Sequence, residues 1–155
     1  MQYLGKIKTE LGLEMIFMCA NNPGLCDEWD AEGGGNTVLI VEGFDLEFFQ
    51  PADPALSLRE TEYGVKLIKM KSDDYEDACE DWAGENREIL GQLFGNPYWL
   101  QADETPVCDL CKKPMRFVAH LEQGPDYKTE MNFGGGMAYL FDCLHDKTAK
   151  FLWQC

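Results

Sequence analysis

The chain has 155 residues, 45% hydrophobic and 26% charged, with Asp and Glu outnumbering Lys and Arg by 28 to 13 for a formal net charge of −15. That length buries a core without disulfides, so a single domain over 1–155 is expected. The acidic field repels polyanions, which argues against nucleic acid as a partner; it attracts a basic protein or peptide, although plain solubility is the more common explanation of such a charge.

The opening residues carry Lys6, Lys8, Glu10 and Glu14 inside their apolar stretch, so they lack the uninterrupted run of a signal peptide. No stretch is long and apolar enough to span a bilayer, and a cytoplasmic location with no membrane association is expected. In a reducing cytosol the seven cysteines are expected as thiols or metal ligands.

In chain order, Tyr3–Ile7 alternates larger side chains with Gly and Lys, and Leu13–Cys19 is rich in Met, Ile and Phe; both predict strands. Asn21–Asn36, with Pro23, Gly24 and three consecutive glycines at 33–35, predicts a long structured loop before a strand over Thr37–Val41. Gly43–Gln50 predicts another strand, ended by Pro51 and Pro54. Tyr63–Met70 has β-like alternation that would bury Val65, Leu67 and, less cleanly, Met70. Ser72 is a plausible N-cap for a helix with Tyr75, Ala78, Cys79 and Trp82 on one face and Glu76, Asp77, Glu80 and Asp81 on the other. A second helical stretch is predicted over 86–93, stopping at Gly95. Strands are then predicted at Trp99–Gln101, Met115–Glu122, Met137–Cys143 and Phe151–Gln154.

The two β-rich ends look like copies: YLGKI (3–7) matches FVAHL (117–121), LEMIFMC (13–19) matches MAYLFDC (137–143), and VLIV (38–41) matches FLWQ (151–154). The expected fold class is therefore α+β and β-rich. Two similar antiparallel β units, 1–70 and 97–155, flank a helical insert over 72–94, as an internal duplication would arrange them.

Chemically, the most specific local pattern is Cys108-Asp-Leu-Cys111, which lies between Pro106 and Pro114 as a knuckle between strands. Two intervening residues let both sulfurs face one soft cation, zinc by preference. Cys143 and His145 are the candidates for the other half of a tetrahedral site, with Asp146, Cys155, Cys19 and Cys26 in reserve. Such a zinc would be structural. The alternative leaves Cys108 and Cys111 as reduced thiols, Cys143 in the core and His145 on the surface. Gly134-Gly135-Gly136 lacks the Lys-Ser or Lys-Thr of a phosphate loop and is expected to serve a tight turn or a close backbone approach. Asp27, Asp30 and Glu32 do not fit a calcium loop. Large aromatics can line a recognition groove, and Trp99 and Trp153, each at a predicted strand end, are the candidate binding residues.

The segments PGLCDEWD (23–30), GQLFGNPYWLQADETPVCDLC (91–111), MRFVAHLE (115–122), MNFGGGMAYLFDC (131–143) and FLWQ (151–154) together resemble the bacterial YwqG-like family of domains of unknown function. More distantly, the Cys-x-x-Cys, hairpin and terminal Trp-Gln pattern is similar to the C-terminal domain of programmed cell death protein 2, whose relatives are associated with chaperoning a ribosomal protein. The resemblance implies a duplicated β-rich fold, a protein- or peptide-binding role and no established enzymatic activity. The family's motif cysteines map to Cys108, Cys111 and Cys143; where related sequences place a further Cys, this chain has Leu144-His145-Asp146. The expected function is a non-catalytic binding module of chaperone-like or toxin-neutralising type. The alternative is a metal-dependent hydrolase whose site assembles from distant residues such as Cys108, His120 or His145.

Overall fold

The computed structural model describes residues 1–43, 63–72 and 74–155. Gly43–Gln50, predicted as a strand, lies outside the described residues from position 44 onward. A three-stranded antiparallel sheet is made by β1 (Gln2–Thr9), β2 (Gly12–Met18) and β3 (Asn36–Val41) in the order β1-β2-β3. After a short helix α1 (Tyr75–Glu80), four strands form a second antiparallel sheet: β4 (Gly91–Leu93), β5 (Arg116–Leu121), β6 (Met137–Cys143) and β7 (Thr148–Gln154), in chain order. No helix among the described residues is long and apolar enough to cross a membrane.

The two β units are copies down to the ladder register. In the first, Tyr3 faces Phe17 and a bulge then sets Gly5 against Ile16; in the second, Phe117 faces Phe141 and a bulge sets Ala119 against Leu140. On the other side Leu13 faces Val41 as Met137 faces Gln154. Register is fixed by which face must be buried, since a one-residue slip would turn every side chain over. The strand-entry glycines match as well. A Cβ on Gly12 would lie 2.5 Å from the Val41 carbonyl oxygen, and one on Gly136 would lie 1.7 Å from that of Gln154. Of the 134–136 glycines, Gly136 makes the close backbone approach that was predicted.

The sheets share one core. Ile16 and Met18 from β2 pack against Val118, Ala119, Ala138, Leu140 and Phe151 of the second sheet, with Phe133 closing the end. The opposite face of the second sheet carries Phe117, Tyr139, Phe141 and Leu152, and residues 98–115 cover it, with Trp99, Cys108 and Met115 packed down. The 21–35 loop is structured, as predicted. It crosses to β7, where the Trp29 carbonyl accepts the Trp153 N–H at 3.1 Å.

Four expected elements differ. Residues 63–70 form no strand, and Val65 and Leu67 are 68% and 71% exposed; alternation makes a strand only where a neighbour supplies the ladder. The cap of α1 is Asp74, whose carboxylate accepts from the N–H groups of Glu76 and Asp77, while Ser72 Oγ accepts from the Asp74 N–H at 3.1 Å. The predicted second helix is reduced to one 3₁₀ turn at Asn86–Glu88, followed by β4. Gly91, at φ +129°, sits against the His120 carbonyl where no Cβ would fit, which commits the segment to β5. Trp99–Gln101 crosses the sheet instead of joining it. The Tyr139 hydroxyl accepts from the Leu100 N–H and donates to the Tyr98 carbonyl, fixing the crossing chain.

A polar cluster, buried at Glu14 and Asp142, sits at one end of the sheet interface. Arg116 grips Asp142 through two hydrogen bonds of 2.9 and 2.7 Å and reaches Glu10 at 2.8 Å. Fully buried Glu14 accepts from Thr9 Oγ1 at 2.6 Å, and its other carboxyl oxygen has no partner. Burial, with the Asp142 carboxylate adding to it, pushes Glu14 from its ordinary 4.5 up to about 7 against the pull of Thr9 and Arg116. Between those values the folded chain holds a proton that the unfolded chain has lost, so stability falls as pH rises and levels off above pH 7. Glu14→Gln should remove that dependence. In urea melts the wild type should lose on the order of 2–3 kcal/mol relative to the variant between about pH 4 and pH 8, with no difference developing if Glu14 titrates normally.

Candidate metal centre

Two turns bring the cysteines together. The Cys108–Cys111 segment folds back on itself, with the Cys108 N–H donating to the Lys113 carbonyl and the Lys112 N–H donating to the Cys108 carbonyl, each at 2.9 Å. Val107 and Pro114 close the knuckle as an isolated bridge. Opposite it, the β6–β7 hairpin turns directly after Cys143, with Lys147 at φ +52°, and returns Asp146 beneath the strand end.

Ligand atoms of Cys108, Cys111, Cys143 and Asp146 all lie within 4.8 Å of one another, close enough to hold a metal ion. Asp146 Oδ2 is 3.2 Å from Cys108 Sγ and 3.5 Å from Cys143 Sγ, and Cys111 Sγ is 3.7 Å from Cys143 Sγ. Cys108 is fully buried, and Thr148 Oγ1 lies 3.6 Å from its sulfur.

The electrostatics separate the ligands. The Cys111 and Leu110 N–H groups and Thr148 point at Cys108 and favour its thiolate, lowering its pKa despite burial. The Asp146 carboxylate does the reverse to Cys111, whose thiol is pushed up to about 12. Thiol donors from Cys111 and Cys108, with His145, hold the Asp146 carboxyl far below the ordinary range. A cation entering here displaces the thiol protons, so its affinity must fall as pH falls.

The fourth member of the group is Asp146, where the sequence pattern had favoured His145. The imidazole is outside the cluster with its side chain 81% exposed, and its Nδ1 sits 2.7 Å from Asp146 Oδ1. It orients the carboxylate that faces the sulfurs. Cys155 is exposed, and Cys19 and Cys26 pair with each other instead of joining this cluster, their sulfurs 3.2 Å apart. His120 contacts Tyr75, Tyr139 and Glu122. Asp146 was legible only as a nearby oxygen ligand, because its selection depends on the hairpin turn.

Both tryptophans singled out from the sequence pack against neighbouring aromatic rings. Trp99 is half-buried and stacked on Phe141 at 5.8 Å between ring centroids and 13° between planes, with Tyr139 at 4.5 Å. Trp153 is also half-buried, edge-on to Trp29 at 6.4 Å. Both cover hydrophobic surface that the sheet would otherwise expose.

Comparisons with protein-family models, with curated proteins and with solved structures return no match.

Asp146→Ala should abolish stoichiometric binding of a thiophilic divalent cation, followed by the thiolate absorption of bound cobalt. His145→Ala should weaken it only about ten- to a hundred-fold, as loss of an orienting partner does. The opposite order would make the histidine the ligand.

Proposed function

We propose that this chain is a non-catalytic module, stapled by a structural zinc, that captures an extended segment of a partner protein by strand addition along β1. The observation that carries the reading is the difference between the two copies. The outer edge of β5 is occupied by β4, Gly91 opposite Leu121 and Leu93 opposite Ala119. The edge of β1 at the matching positions, Ile7 and Gly5, pairs with no strand among the described residues. Main-chain hydrogen bonds at such an edge provide affinity, and pockets for alternate side chains provide selectivity.

The β4–β5 pairing indicates what a segment added along β1 would present. Leu93 packs against the shared core, and Gly91 passes where a Cβ would clash. An incoming segment that reads small-x-apolar would set its apolar residue beside Leu4 and Ile7, which border the same core. The formal net charge of −15 favours a basic partner through its long-range field. Exposed Lys6 on the edge discourages two copies from pairing with each other. The similarity to YwqG-like domains, and through them to a chaperoning role, belongs to the same proposal.

Zinc fits the donor set. Bonds of about 2.3 Å to sulfur and 2.0 Å to oxygen give tetrahedral edges of about 3.5–3.8 Å. The separations of 3.2, 3.5 and 3.7 Å lie near that range. Four protein ligands leave no position for water, which is the pattern of a structural site and weighs against the hydrolase alternative. Two surface clefts, one beside Lys8, Glu10 and Lys147 and one beside Trp29, Glu32 and Glu104, include none of the four ligands.

The test uses peptides reading Gly-x-Leu within Lys- and Arg-flanked segments, titrated calorimetrically against the zinc-loaded chain. The Val118 carbonyl and the Glu122 N–H face β4, so position 120 and its counterpart Lys6 face outward too. Lys6→Pro therefore removes an outward N–H and leaves the β1–β2 ladder intact. Binding should drop at least tenfold in this variant and weaken with salt. Equal binding by a Lys6→Pro protein with an unchanged melting temperature, or no binding to the wild type, sinks the proposal.

A further inference from the structure

The strand end that supplies Cys143 to the metal cluster has a counterpart in the first β unit. Cys19 follows β2 as Cys143 ends β6, yet its surroundings differ. Cys143 meets Cys111 and Asp146, whereas Cys19 faces a single further sulfur, Cys26 Sγ, at 3.2 Å. Among the described residues no third cysteine, histidine or carboxylate joins them in a metal-sized group. Two sulfurs alone make a poor metal site and a good dithiol.

We propose that Cys19 and Cys26 are a reversible redox pair that closes a disulfide at the root of the 20–35 loop. An S–S bond is about 2.05 Å long, so the sulfurs need to approach by only about 1 Å, within reach of side-chain rotation. The intervening chain is already folded for closure. The Leu25 N–H donates to the Asn22 carbonyl at 3.0 Å, and buried Glu28 accepts from the N–H groups of Gly24 and Cys26. Against the cost of burial, the N–H groups of Gly24, Glu28 and Cys26 hold the Glu28 carboxyl below the usual range, so the turn stays clamped at neutral pH. Both cysteines are half-buried, open to a small oxidant.

The two sulfurs are unequal. Cys19 is lowered by the Asn21 N–H, by Cys26 and by the Asn22 N–H, while Cys26 is raised by its contact with Cys19. Cys19 is therefore the attacking thiolate. With glutathione disulfide as oxidant, Cys19 attacks one glutathione sulfur, forming a mixed disulfide and expelling one glutathione thiolate. The Cys26 sulfur, losing its proton to solvent, attacks Cys19 Sγ and expels the second. Two cysteine thiols are oxidised, and one glutathione disulfide is reduced to two thiols. The bond ties the loop to β2, and the same loop reaches the second sheet through Trp29 on Trp153 and Glu32 on Lys150.

Trypsin provides a clean readout, because residues 9–59 form one peptide containing Cys19 and Cys26 and no other cysteine. The zinc-loaded full chain is treated with glutathione disulfide, alkylated and digested. The peptide should be two hydrogens lighter than the dithiol and unalkylated, and a thiol reductant should restore two alkylatable sulfurs. Cys26→Ser should trap Cys19 as a stable mixed disulfide, and Cys19→Ser should form its mixed disulfide several-fold more slowly. Finding the peptide doubly alkylated while exposed Cys155 has become glutathionylated overturns the proposal. Equal rates in the two single variants overturn the assignment of Cys19 as attacker.

Discussion

Strand β6 is buried on both faces, and covering it places most of the other described elements. Every residue from Ala138 to Asp142 is buried, so each face of the second sheet needs its own layer. One layer is the first sheet, which contributes Ile16 and Met18. The other is the crossing chain from Tyr98 to Met115, which lays Trp99 on Tyr139 and Phe141 and sinks Cys108 into the cluster. The knuckle exists where it does because that crossing must turn back into β5. The cation-sized group of ligands follows from covering a hydrophobic face.

Duplication gives the two units one ladder, and unequal covering makes them different. Leu152 is 2% exposed beneath the crossing chain, whereas Leu39 at the matching position is 52% exposed. Tyr3, Met15 and Phe17, which match Phe117, Tyr139 and Phe141, are only half-buried. The edges diverge likewise, since β4 completes the second sheet. Among the described residues, the second copy carries its own extended chain on face and edge, and the first repeats its ladder.

The interface between the sheets is not purely apolar. Arg116, Asp142, Glu10 and Glu14 join β5, β6 and the β1–β2 turn at one end. A bidentate guanidinium pair fixes a geometry that aliphatic packing would leave looser, at the expense of burying carboxylates. Glu14 bears the larger share of that cost, having one hydrogen-bonded oxygen and one without a partner.

Alternation and self-similarity made β1, β2, β3, β5, β6 and β7 legible, because each strand's apolar period states which face it buries, and a repeated motif states it twice. Gly136 was legible for a related reason, since only a residue without a Cβ tolerates such an approach. Three segments were not. Tyr63–Met70 has a strand's composition without a ladder, Ile89–Leu93 has an apolar spacing that suits a helix or a strand, and Trp99–Gln101 crosses a sheet that its pattern would join. In each, the deciding partner is distant in the chain. By itself the sequence determined a duplicated β framework and a Cys108–Cys111 knuckle. Only the tertiary structure decided that Asp146 and not His145 faces the sulfurs, because a hairpin turn with Lys147 at positive φ points one side chain inward and its neighbour to solvent.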